Sequence, residues 1–180
     1  MMIEVATGVG FDPVVEQKET TIAKDLRLNL KRLLQEGALS AEEAHLSLVA
    51  LAASAEYRAL KDYAISYLRE QGTEEDVIRE AAESSAIMAM LNTYYRFRYM
   101  VGKDEEYSSA GLRMLSLARP AMGKLRFEML AFAVSVLNGC QSCVRSHEDV
   151  LRKGEVSSDK IHDLARLAAV VKALKTLNTV

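Results

Sequence analysis

The stretch FEMLAFAVSVLNGCQSCVRSHEDVLRKGEV, Phe127 to Val156, carries a long apolar run, a break, and a second run that is largely polar. From Phe127 to Gly139 the only ionisable side chain is Glu128, and the Leu, Ala, Met and Phe content suits a helix buried on most sides. Asn138-Gly139 should end that helix near Leu137, since glycine readily takes the left-handed conformation that closes a helix. Cys140 then falls at or near the start of a new helix, which runs on to a second glycine, Gly154. The unit is helix, tight turn, helix.

Outward from this unit the chain keeps the same pattern. Its 180 residues suit one domain with its own core. Only two prolines and nine glycines interrupt a composition rich in Ala, Leu, Glu, Lys and Met, which favours helices by propensity. Ser40 and Glu43 form a capping-box pattern ahead of an apolar helix, AEEAHLSLVALAAS. Thr73 and Asp76 offer a similar start after Gly72, leading into DVIREAAESSAIMAMLNTYYRFRYM. No alternating segment bounded by turn residues competes as a strand. The expected fold class is all-α.

An internal repeat gives this fold two related helical halves. Sliding the chain by about 82 residues lays Gly72 on Gly154. With one insertion, Asp76, Ile78 and Ala86 fall on Asp159, Ile161 and Ala169. DLRLNL from Asp25 also resembles GLRMLS from Gly111 at a different offset. The polar segment VGKDEEYSSAG reads as a connection. The expected organisation is an N-terminal extension, residues 1–22, and one domain, 23–180, with halves of about 23–100 and 111–180 joined by a loop at 101–110. In this register Cys140 and Cys143 fall on Arg58 and Lys61, and His147 on Ile65, so the reactive groups belong to the second half.

Cys140 and Cys143 are the only cysteines. Placed at random in such a chain, two cysteines would stand three apart about 1% of the time. Residues i and i+3 share a helical face, so two sulfurs at this spacing can meet in a disulfide. Unpaired N–H groups and the dipole at a helix start favour thiolate over thiol. His147 follows Cys143 by four residues on the same face and can exchange protons near neutral pH. Glu128, in its apolar stretch, must find a partner or stay protonated, and beside an imidazole and a thiol it would complete a proton relay. Two other readings of the spacing stand open: inert buried thiols, or part of a zinc site that would still lack a fourth ligand.

Other features read as structural. The run Tyr94-Tyr95-Arg96-Phe97-Arg98-Tyr99 is taken as a core or subunit contact, the eight methionines as core filling, and Gly8-Val9-Gly10 lacks the spacing of a nucleotide loop. A net charge of -2 offers no field for nucleic acid or an acidic membrane surface. The acidic start lacks the basic and apolar segments of a secretory signal, and no window reaches the roughly 20 apolar residues of a membrane span. A cytoplasmic location is expected, where incidental cysteines stay reduced and no structural disulfide framework forms.

These residues resemble the alkyl hydroperoxidase D family, within the wider carboxymuconolactone decarboxylase-like superfamily. The resemblance runs through AKDLRLNL from Ala23, SSAIMAMLNTYYRFR from Ser84, GLRM from Gly111 and, most specifically, Phe127 to Val156 with its Glu128, C-x-x-C and following histidine. It implies a duplicated all-helical subunit in a homo-oligomer, commonly a trimer. By the family pattern Cys143 attacks an organic hydroperoxide and becomes the sulfenic acid. Cys140 donates a proton and resolves the adduct into the Cys140–Cys143 disulfide, and Glu128 and His147 occupy relay positions. No bound cofactor is implied. The reductant would be a dihydrolipoyl group (dihydrolipoamide) on a lipoylated acyltransferase subunit or equivalent carrier, with a separate peroxiredoxin as a working partner. A decarboxylase-like enzyme or a general disulfide reductase is the alternative within the same fold. A metal-bound or structural helical oligomer is the alternative outside it. Well-known members carry a second histidine directly before the attacking cysteine. Here that position is Ser142, whose hydroxyl bonds to neighbours but does not titrate near neutrality, so a shorter relay is expected.

Overall fold

The structure, a computed structural model, describes residues 19–103 and 105–179. Among them are seven α-helices, one 3₁₀ turn at Leu115–Leu117, and no strand. The Gly8-Val9-Gly10 triplet and most of the expected N-terminal extension lie outside the described residues.

The core is built on two helices, α2 (Ala41–Ser54) and α5 (Lys124–Asn138), which pack against each other. Each has an unbroken buried run, Ala44 to Ala52 and Met129 to Ser135. Helices apolar on all sides require cover on all sides. That cover comes from α1 (Thr21–Glu36), α3 (Arg58–Glu70), α4 (Glu75–Val101), α6 (Gln141–Lys153) and α7 (Ser158–Leu177). The capping box at Ser40 forms in full: Ser40 Oγ accepts from Glu43 N–H at 3.1 Å, and Glu43 Oε2 accepts from Ser40 N–H at 2.7 Å. The start expected at Thr73 and Asp76 differs, since α4 begins at Glu75 behind Glu74 with no side-chain cap. Acidic Glu75 and Asp76 in the first turn face the helix dipole there instead.

The three helices from α2 recur in the three from α5. Each later start lies 83 residues after its counterpart: Ala41 and Lys124, Arg58 and Gln141, Glu75 and Ser158. The turns match as well. Tyr57 N–H bonds Ala52 O as Cys140 N–H bonds Ser135 O, and Thr73 N–H bonds Leu68 O as Val156 N–H bonds Leu151 O. The register is therefore one residue longer than the glycine match indicates. Gly72 has φ of 78°, but its positional counterpart is Glu155 with φ of 60°, not Gly154. Gly154 lacks the positive φ, and a Cβ there would meet the end of the exposed Leu125 side chain at 2.5 Å, so Leu125 would have to shift. In this register Cys140, Cys143 and His147 fall on Tyr57, Leu60 and Ala64, and Glu128 falls on His45. The reactive groups still occupy the second set of helices only.

The connection after α4 runs past the expected loop at 101–110. Among the described residues no α-helix forms between Val101 and Lys124; GLRMLS from Gly111 is mostly irregular while DLRLNL lies within α1. Their likeness is one of sequence alone. Glu80 of α4 ties this connection down, its carboxylate accepting from Ala121 and Met122 N–H at 2.8 Å each.

Candidate active site

Gly139 closes α5 with φ of 68°, its N–H bonding back to Ser135 and Val136 carbonyls. One residue later Cys140 is the N-cap of α6, and its sulfur accepts from Cys143 N–H at 3.4 Å. Cys140 and Cys143 form a disulfide with their Cα atoms 5.3 Å apart. That separation is ordinary for a disulfide and follows from the first turn of a helix. Burial separates the two sulfurs' residues: Cys140 is 0% exposed and Cys143 6%. Ser142 Oγ lies 3.6 Å from Cys140 Sγ, within hydrogen-bond reach of sulfur.

His147 stands one turn beyond Cys143 on the same face of α6. Its Nδ1 meets Glu128 Oε2 of α5 at 2.7 Å, joining the two helices across the turn. Both side chains are largely buried, at 20% and 18% exposed. Glu128 is the fifth residue of α5, beyond the first-turn position that would serve the dipole alone. A carboxylate on one imidazole nitrogen orients the ring, leaving Nε2 for proton exchange. The turn thus joins Glu128 to His147, one helical turn beyond the Cys140-Ser142-Cys143 start of α6, although spacing alone linked only the residues of α6.

Comparison with known proteins places the chain in a family. Residues 110–179, which include Glu128, Cys140, Ser142, Cys143 and His147, match the family model "Carboxymuconolactone decarboxylase family". The chain is 47% identical over 153 residues to the alkyl hydroperoxide reductase AhpD of Anaeromyxobacter dehalogenans (strain 2CP-C), covering 84% of this chain and 81% of that one. The chain belongs to the alkyl hydroperoxide reductase AhpD family. The AhpD of Streptomyces avermitilis is 38% identical over 157 residues, with 86% and 87% covered. That of Brucella anthropi is 32% identical over 161 residues, with 89% and 91% covered.

Within this AhpD-family chain the sequence reading passed over several residues at the site. Asn92 and Arg96 of α4 and Ser54 of α2 all bond into the α5–α6 turn. Arg96 belongs to the aromatic run taken as a packing or subunit contact, and Tyr95, Arg98 and Tyr99 from the same run line a cleft of about 250 Å³ with Ser142. Their spacing of three and four along one helix was the available signal. Among the described residues no group of three or more His, Cys, Asp or Glu side chains is arranged to hold a metal ion. No helix of the described residues is long and apolar enough to cross a membrane.

Proposed function

We propose that this chain is a thiol peroxidase that reduces organic hydroperoxides through Cys143 and Cys140. The observation that carries the reading is the disulfide at the N-terminus of α6, flanked by the bonded Glu128–His147 pair. The Cys143 thiolate attacks the distal peroxide oxygen. An S–O bond forms, the O–O bond breaks, and the alkoxide takes a proton from the site to leave as alcohol. The Cys140 thiolate then attacks the sulfenic sulfur, the S–S bond forms, and hydroxide leaves as water after taking a second proton. His147, held by Glu128, is the group able to pass those protons. The residual exposure of Cys143 and the full burial of Cys140 fit attack by the first and resolution by the second.

A dithiol must reopen the disulfide, accepting oxidation in return. The reductant proposed is a dihydrolipoyl group on an acyltransferase subunit or equivalent carrier, in the cytoplasm and alongside a separate peroxiredoxin. The recurring helices fit a duplicated unit within one domain. A homo-oligomer, commonly a trimer in the family, fits the exposed apolar side chains after the middle of α4 and beyond it, including Tyr99, Met100 and Leu115.

Consumption of cumene hydroperoxide in the presence of dihydrolipoamide tests the reading. Turnover dependent on both cysteines supports it. Disulfide exchange without hydroperoxide consumption would move the assignment to a general disulfide reductase.

A further inference from the structure

The turn that delivers Cys140 is gripped from outside by side chains that the peroxidase chemistry does not use. Asn92 is buried, donating from Nδ2 to Ser135 Oγ at 2.9 Å and accepting at Oδ1 from Asn138 Nδ2 at 3.0 Å. Ser54 Oγ donates to Asn138 Oδ1 at 3.3 Å. Arg96, one turn after Asn92 on α4, donates from Nη1 to the Asn138 carbonyl at 2.7 Å. Ser135 and Asn138 are thus fixed from two other helices, and Ser135 O in turn holds Cys140 N–H at 3.1 Å. Buried polar side chains this well partnered specify one geometry.

Arg96 does more than clamp. It is half-buried, and among the described residues its hydrogen-bond partner is a carbonyl and no carboxylate pairs with it. That carbonyl belongs to the last residue of α5, where the negative end of the helix dipole lies. The guanidinium covers this negative end and leaves a positive charge against the turn, with its contact two residues before Cys140. Of the other ionisable groups of the site, Glu128 and His147 are bound to each other, while Arg98, Tyr95 and Tyr99 line the cleft at Ser142.

We infer that Arg96 is a positioning residue for the Cys140–Cys143 couple: by holding the Asn138 carbonyl and placing its charge beside the turn, it stabilises the thiolate released on Cys140 when a dithiol opens the disulfide. This rests on reading the pair as a working redox couple. Cys143 keeps 6% exposure and Cys140 none, and the entering thiolate is assigned to the Cys143 sulfur. The Cys140–Cys143 bond breaks and its electron pair leaves on Cys140 Sγ. The second thiolate of the entering dithiol then attacks the mixed disulfide, the pair leaves on Cys143 Sγ, and the dithiol departs as a disulfide. Both cysteines finish reduced, with protons drawn from the dithiol or solvent. A better-stabilised leaving thiolate opens faster and favours the reduced pair.

The series R96K, which keeps the charge, and R96Q, which keeps a donor but loses the charge, separates field from clamp. Three quantities are read in the full chain: the rate of opening by dihydrolipoamide, the equilibrium with a lipoamide/dihydrolipoamide buffer, and the titration of Cys140 as sole thiol in a C143S background. R96Q should open about tenfold more slowly, and its equilibrium should move about tenfold toward the disulfide, or roughly 30 mV more negative. Cys140 in R96Q,C143S should titrate at higher pH than in C143S alone. R96K should stay near the parent, and R79Q, which removes a distant cation from the same helix, should match it. If R96Q equals the parent in all three quantities and only its melting temperature falls, Arg96 is a clamp and the inference is overturned. A parent disulfide that no dithiol opens would instead bring down the redox reading itself, and the inference with it.

Discussion

Glu128 Oε2 and His147 Nδ1 lie 2.7 Å apart, 19 residues distant in the chain and on different helices. The contact exists because Gly139 reverses the chain tightly enough to lay α6 along α5. Replacing Glu128 with Gln keeps the shape but changes the acceptor that orients the imidazole. E128Q and H147Q should each lower kcat/KM for hydroperoxide by roughly 10²-fold or more, within the usual range for general acid–base groups. Stopped-flow oxidation of the reduced enzyme measures it. Parent-like rates in both variants would remove the relay from the mechanism.

The left-handed residue between the helices is a second point of control. Alanine at Gly139 must adopt φ near 68°, at a cost of about 1–2 kcal/mol. G139A should unfold at lower urea concentration and form its disulfide more slowly after peroxide treatment. Unchanged stability would show that the turn relaxes without strain.

Much of this arrangement was legible in the sequence. Asn138-Gly139 marked the break, Ser40 and Glu43 marked a helix start, and the cysteine spacing marked a redox-capable helix start, because each is a local signal within one turn of backbone. The Glu128–His147 bond was not, since it depends on the angle between two helices. Asn92 and Arg96 were missed for the same reason: the turn they hold lies more than 40 residues further along the chain. The repeat register slipped by one because glycine identity was matched. Gly72 is there for its positive φ, whereas Gly154 lies against the end of Leu125 and leaves the positive φ to Glu155.

The capping box also reaches across the fold. Burial pushes the Glu43 carboxyl up, but the Lys160 ammonium at 2.7 Å, with the Ser40 donors, outweighs this and holds it below the usual value. S40A should cost about 1 kcal/mol. K160M should cost stability at pH 7 and less as the pH falls through the Glu43 titration, since protonation removes the charge that Lys160 pairs with. Urea midpoints measured from pH 7 to pH 3 test both; a K160M deficit that stays constant over that range would contradict the pairing.

His45 provides an acid limit. Burial against the Tyr67 ring, which stacks on it at 3.6 Å, pushes its pKa from 6.5 down to about 4, only partly offset by the Nδ1 bond to Ala41 O. Below about 6.5 the unfolded chain takes up a proton that the folded one refuses until about 4. Stability should therefore be complete above that window and fall by about 3 kcal/mol as the pH drops through it. H45F should flatten this dependence. An identical pH slope in parent and variant would contradict it.

The most direct test of the central claim is a single exposure of the reduced enzyme to a stoichiometric organic hydroperoxide, followed by mass analysis of the parent, C140S and C143S. The account predicts a Cys140–Cys143 disulfide in the parent, a trapped sulfenic acid on Cys143 in C140S, and no rapid oxidation in C143S. Hydroperoxide reduction by C143S at the parent rate would contradict it.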